Sequence, residues 1–141
     1  MISTSAEETK AIGATFVTSL EKGGVVCLEG DLAAGKTTFS QGIAEALGIH
    51  RLTSPTFLIM KEYEITNHPQ IHKLFHLDLY RLTSPEDIKS FDLEEIIANP
   101  HNLVLVEWSD RIKSILPEKR FRVDFKYIDE DKREIYIERP L

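Results

Sequence analysis

At 141 residues the chain has room for one domain with a substantial core and too little for two ordinary ones. Its 42% hydrophobic and 28% charged content fit a globular protein, and the net charge of −6 excludes a basic field able to hold nucleic acid unaided. The single cysteine, Cys27, excludes an internal disulfide, and no apolar run approaches the roughly 18 residues of a membrane span.

Taken in order, Ser5-Ala-Glu-Glu8 has the form of a capping box, with serine at the cap and glutamate three residues on. The helix it opens is predicted to run to about Leu20 and to bury Thr9, Ile12, Phe16 and Val17 or Leu20. The start Met1-Ile-Ser-Thr-Ser5 lacks the basic residues and apolar centre of a secretory leader, so a cytoplasmic location is expected. The run Gly24-Val-Val-Cys-Leu-Glu29 reads as a buried strand, with Cys27 as a small apolar core residue.

That strand feeds Gly30-Asp-Leu-Ala-Ala-Gly-Lys-Thr37, which matches the phosphate-binding loop G-x-x-x-x-G-K-[ST] at every fixed position. Apolar residues at Phe39, Ile43, Ala46 and Leu47 then follow helical spacing, and Gly48 stands where a helix C-terminal glycine belongs. A strand-to-helix turn of this kind points several backbone N–H groups into one concavity and adds the helix dipole, making an anion site. Lys36 is expected to reach the β- and γ-phosphates and the Thr37 hydroxyl to ligate Mg²⁺.

Leu52-Thr-Ser-Pro-Thr-Phe57 reads as a turn rich in hydroxyls, at the place where many such proteins carry a γ-phosphate-sensing loop. Two strands are predicted next, Leu58 to Tyr63 and Lys73 to Leu79. In the second, Phe75, Leu77 and Leu79 share one face, and His76, Asp78 and Tyr80 share the other. An aspartate in mid-strand needs a reason. Near the phosphate loop Asp78 would order the attacking water or the Mg²⁺ shell; otherwise its face is solvated. His68, His72 and His76 lack cysteine partners and read as incidental rather than as a zinc site.

Ser84-Pro85 opens a further helix, and Asp92 caps a short one ending near Asn99-Pro100. Leu103-Val-Leu-Val106 followed by Glu107 is the pattern of a buried strand that delivers a carboxylate to its C-terminal end, where open α/β sheets bind ligands. Glu107 is therefore the predicted Mg²⁺ partner of Thr37. Trp108 follows at once, Ser109 to Leu116 reads as a short helix, and Phe121 to Ile128 with Glu134 to Glu138 form an antiparallel hairpin turning at Asp129 to Lys132. Arg133 begins its second arm and is placed to reach a base or phosphate. The elements together describe an α/β three-layer sandwich of the phosphate-loop NTPase kind. Its central sheet is mostly parallel, with antiparallel edge strands and a C-terminal hairpin.

Four stretches in this order, Gly30-Asp-Leu-Ala-Ala-Gly-Lys-Thr-Thr38, Ser54-Pro-Thr-Phe57, His76-Leu-Asp-Leu-Tyr-Arg81 and Val106-Glu-Trp108, resemble the TsaE (YjeE) family over nearly the whole chain. The resemblance implies one ATPase domain spanning residues 1–141, required for threonylcarbamoyladenosine formation at adenosine 37 of tRNA. It implies ATP and Mg²⁺ as ligands, and TsaD and TsaB as partners. Contact with tRNA would come only through that complex, with no membrane or DNA contact, and hydrolysis would reset the complex. By the same resemblance Ala33, Ala34, Gly35, Lys36, Thr37 and Thr38 wrap the phosphates, and Thr37 and Glu107 hold the metal. Asp78 serves hydrolysis, Ser54 and Thr56 belong to a switch segment, and Trp108 sits by the site. Ser5 and Arg133 fall where family members approach the nucleotide. One departure is Ala33, where the family commonly has glycine.

From the residues alone two rivals stand beside an ATPase. A small-molecule or nucleotide kinase needs an arginine-bearing lid, for which the stretch from Arg81 to Asn99 is short and acidic. A nucleotide-gated binding module with little turnover fits a chain with no obvious arginine finger, for which Arg51, Arg81 and Arg111 are unranked candidates. No Asn-Lys-x-Asp pattern of guanine binders occurs, which favours ATP over GTP.

Overall fold

A computed structural model describes residues 1–31, 34–52, 60–82, 86 and 92–140. In chain order the elements are β1 (Ile2–Ser3), α1 (Ala6–Thr18), β2 (Gly24–Gly30), α2 (Lys36–Ala46), β3 (Met60–Glu64) and β4 (Lys73–Asp78). Then come α3 (Leu93–Ala98), β5 (Asn102–Glu107), β6 (Phe121–Tyr127) and β7 (Arg133–Glu138). The strands form one mixed sheet in the order β1-β7-β6-β2-β5-β4-β3. The central four, β6, β2, β5 and β4, are parallel, while β3, β7 and β1 add antiparallel edges. The expected sandwich and hairpin are both present, and the hairpin enters the sheet by laying β6 directly against β2.

Both faces of the sheet are covered, so its middle strands read as continuous apolar runs rather than alternating ones. On one face Phe16, Val17, Phe39 and Ile43 of α1 and α2 pack on Val26, Leu28, Leu74, Leu103, Leu105 and Val123. On the other, Leu93 and Ile112 pack with Val25, Cys27, Phe75, Leu77, Val104 and Val106. Burial pushes the Cys27 thiol above its ordinary pKa, the state of an inert core residue.

Helix α1 begins as its sequence requires: Ser5 caps it, accepting from the Glu8 N–H at 3.1 Å. The expected box is displaced by one residue, because the Glu8 carboxylate accepts from the Thr4 N–H and hydroxyl instead of the Ser5 N–H. Close approach sets how α1 lies on α2. A Cβ on Gly13 would stand 2.3 Å from the Phe39 carbonyl oxygen, and one on Gly42 would stand 2.1 Å from the Lys10 carbonyl oxygen. The backbones touch there, which only glycine permits. At the far end of α2, the Gly48 and Ile49 N–H groups donate to the carbonyls of Glu45 and Ala44, a Schellman closure.

Two sequence expectations are corrected. The helix from Ser109 to Leu116 is a single 3₁₀ turn, Ser109–Ile112, followed by a hydrogen-bonded turn in which the Ile115 N–H donates to the Ile112 carbonyl. Trp108 enters it with a left-handed backbone, and the Arg111 guanidinium donates to the Leu82 carbonyl, so the segment tucks Ile112 under the sheet instead of extending as a helix. Asp92 precedes α3 but makes no side-chain cap bond, its own backbone being left-handed. The expected helix start at Ser84-Pro85 lies outside the described residues.

Candidate active site

The C-terminal ends of β2, β5 and β4 and the first turn of α2 meet around a cavity of about 380 Å³. Its lining joins Gly35, Lys36, Thr37 and Thr38 to Asp78, Tyr80, Glu107 and Trp108 on one side. Ser5, Ala6, Thr9, Glu130, Asp131 and Arg133 face them. Every predicted site residue that is described lines this cavity, except Ala34. That residue is buried beneath the loop and packs in the core. Ala33, Ser54 and Thr56 lie outside the described residues.

Gly35 opens α2 with φ 107°, a left-handed conformation that glycine alone adopts without penalty. The turn aims the Lys36 side chain back across the loop. Its Nζ donates to the Gly30 carbonyl at 2.8 Å and stands 4.5 Å from the centre of the Trp108 ring. Lys36 is only 6% exposed and, among the described residues, has no carboxylate partner. Among the described residues this buried ammonium has a carbonyl and an indole face for partners and no direct ion pair, so an anion suits Lys36.

The carboxylates come from neighbouring parallel strands. Asp78 and Glu107 are paired in register, so their side chains leave the same face of the sheet, the face covered by α2. Asp78 is half-buried and accepts from the Tyr80 N–H at 3.1 Å, while Tyr80 lays its ring on Trp108 at 5.1 Å. The face carrying His76 and Asp78 is therefore covered, not solvated. Glu107 is 6% exposed, and His76 Nε2 donates to its Oε2 at 2.9 Å. This corrects the reading of the three histidines as incidental. His68 only closes a turn, accepting from the Gln70 and Ile71 N–H groups, and His72 stacks on His101. His76 does not line the cavity but meets it through Glu107. The signal was available: it alternates with Asp78 on one strand face.

Trp108 has φ 61°, rare for a bulky residue and costly, of order 1–3 kcal/mol. That conformation ends β5 immediately after Glu107 and turns the indole towards Lys36. On the facing wall, Arg133 Nη1 donates to the carbonyls of Asp129, Glu130 and Lys132, with its guanidinium 4.6 Å from the Tyr127 ring centre. Arg133 thus shapes the hairpin turn that presents Glu130 and Asp131. Sequence reading missed those two and Thr9, because only the β1–β7 and β6–β7 pairings bring the turn to the start of α1. Arg51, Arg81 and Arg111 do not line the cavity.

A family model for the threonylcarbamoyl adenosine biosynthesis protein TsaE matches residues 3–135. The chain belongs to the TsaE family. Among its relatives, the tRNA threonylcarbamoyladenosine biosynthesis protein TsaE of Bacillus subtilis is 42% identical, over 92% of this chain and 78% of the relative. The protein of the same name from Treponema pallidum is 37% identical, over 96% of this chain and 97% of its own length. The crystal structure of Bacillus subtilis YdiB superposes with a TM-score of 0.70 at 36% identity, covering 96% of this chain and 80% of that one. The fold described above is thus that of a TsaE chain. No described helix is long and apolar enough to cross a membrane.

Proposed function

We propose that this TsaE chain is a Mg²⁺-dependent ATPase serving threonylcarbamoylation of adenosine 37 in tRNA, and that it works with a TsaD–TsaB complex which its hydrolysis resets. The observation that carries the reading is a buried Lys36 ammonium on a phosphate-binding loop, without a direct ion pair among the described residues, in one cavity with two carboxylates held in register. A cavity of about 380 Å³ lies within the usual range for small ligands, about 300–1,000 Å³.

The roles follow from the chemistry of each group. The backbone N–H groups from Ala33 to Thr38 and the α2 dipole hold phosphate, and Lys36 exchanges its carbonyl for a phosphate oxygen. The hard oxygens of Thr37 and Glu107 suit Mg²⁺, which when bound neutralises charge on the β- and γ-phosphates. Asp78 orders and deprotonates the attacking water, its carboxylate aimed by the Tyr80 N–H. Ser5 and Arg133, with the walls they stand on, border the nucleoside end. Trp108 closes over Lys36 and limits water around it. Ser54 and Thr56 would answer the γ-phosphate as a switch.

The test is ATP turnover with Mg²⁺ by the protein alone and with TsaD, TsaB and tRNA added. Slow turnover that rises when the complex is present supports the reading. Equal turnover with and without them removes the partnership, and phosphate found on an acceptor instead of in solution replaces the ATPase with a kinase.

A further inference from the structure

Glu107 is not held by its own strand. Among the described residues its one side-chain bond comes from His76 on β4, between two side chains that are almost wholly buried. His76 Nδ1 is buried and has no hydrogen-bond partner. An ionised carboxylate only accepts, so the Nε2 that meets it carries a proton and donates it to the hydrogen bond with Glu107. The bond engages Oε2, and among the described residues Oε1 has no hydrogen-bond partner. Carboxylates that ligate metals are themselves usually held by such outer bonds.

Resting on the ATPase reading above, we propose that His76 is a positioning residue: it clamps Glu107 Oε2 so that Oε1 is presented to the metal that accompanies the nucleotide. The rest of β4 fits this division of labour, since Leu74 on the same face is core and Asp78, two residues beyond His76, borders the cavity directly. Loss of the clamp frees Glu107 to turn, and metal affinity falls while the phosphate loop stays intact.

The experiment compares His76→Gln with His76→Asn. The glutamine amide nitrogen reaches the place of Nε2 and can donate to Glu107; the asparagine amide stops at the place of Nδ1 and cannot. Binding of a non-hydrolysable ATP analogue to the full chain is measured by calorimetry in EDTA and across a Mg²⁺ titration. Wild type is expected to bind more tightly with Mg²⁺. His76→Asn should bind as wild type does in EDTA and need about tenfold or more Mg²⁺ for the tightening. His76→Gln should stay within about threefold of wild type. A role in packing alone would lower the melting temperature of both variants and leave the Mg²⁺ midpoint unmoved, which overturns the proposal. A midpoint moved equally in both variants overturns it too, because the donor would then be irrelevant. Wild type that shows no Mg²⁺-dependent tightening overturns the ATPase reading itself, and the role of His76 with it.

Discussion

The wall that carries Lys36, Asp78, Glu107 and Trp108 stands on the ends of parallel strands and the first turn of a helix. The facing wall, with Ser5, Thr9, Glu130, Asp131 and Arg133, is a helix start and a hairpin turn. On the first wall two charged groups are buried and held by partners from other elements, Lys36 by Gly30 and Glu107 by His76, while the half-buried Asp78 is held locally by the Tyr80 N–H. The second is more exposed and largely holds itself, Arg133 through the carbonyls of its own turn and Ser5 through the helix it caps. Groups that meet developing charge must be fixed before the reaction begins, whereas groups that border a nucleoside need only be near. On the proposed ATPase reading the two walls divide those tasks between them.

The sharpest way to break the comparison is Asp78→Ala. On the strand-end wall it should lower the rate of ATP hydrolysis by about a hundredfold or more, while nucleotide affinity stays within a few-fold. Rate and equilibrium binding measured on the same preparation separate the two. Loss of binding would mean that Asp78 builds the wall instead of acting from it.

Next in size is the spacing between α1 and α2, which sets where Ser5, Ala6 and Thr9 stand. Gly13→Ala should gain up to about 1 kcal/mol from helix propensity. It should instead lose about 1–3 kcal/mol net, because the new methyl group meets the Phe39 carbonyl. Thermal melting should show a fall of several degrees. A rise would mean that the helices part readily and that the facing wall is not fixed by α1.

Arg133→Ala tests the facing wall directly. Losing the guanidinium loosens the turn under Glu130 and Asp131, so KM for ATP should rise by less than about tenfold while kcat holds. Arg133→Lys should rescue little, since all three carbonyls meet Nη1 and the lysine stem ends one bond short of that nitrogen. A fall in kcat would move Arg133 to the chemical wall.

The same contrast explains what could be read from the residues. Lys36, Thr37, Asp78 and Glu107 declare themselves locally, by a loop motif or by an acid in or after an apolar strand. Their meeting follows from the rule that parallel strands bring ligands to their C-terminal ends. Glu130 and Asp131 carry no such mark. They are ordinary turn acids until β1 pairs with β7 and β7 with β6. The two-residue β1 is too short for any periodicity. The segment after Trp108 was misread for a related reason. Its apolar spacing suits a helix, but the left-handed Trp108 and the Arg111 bond to Leu82 are tertiary choices that local propensity does not record.

The smallest effect lies outside the cavity, where the cap of α1 holds Ser5 in place. The Thr4 hydroxyl and N–H both donate to Glu8, and these bonds hold its carboxyl below the ordinary glutamate pKa of 4.5. A carboxyl depressed on folding binds its proton more weakly in the folded chain than in the unfolded one. It therefore stabilises the fold above the unfolded value, and that contribution disappears as pH falls through the folded one. Glu8 is fully exposed, so water screens most of the gain. The melting temperatures of wild type and Glu8→Gln should differ by a small, constant amount above about pH 5.5 and converge as pH drops below 4.5. A difference that persists unchanged to pH 3 would mean that the Glu8 side chain acts by shape rather than charge, and that the cap rests on Ser5 alone.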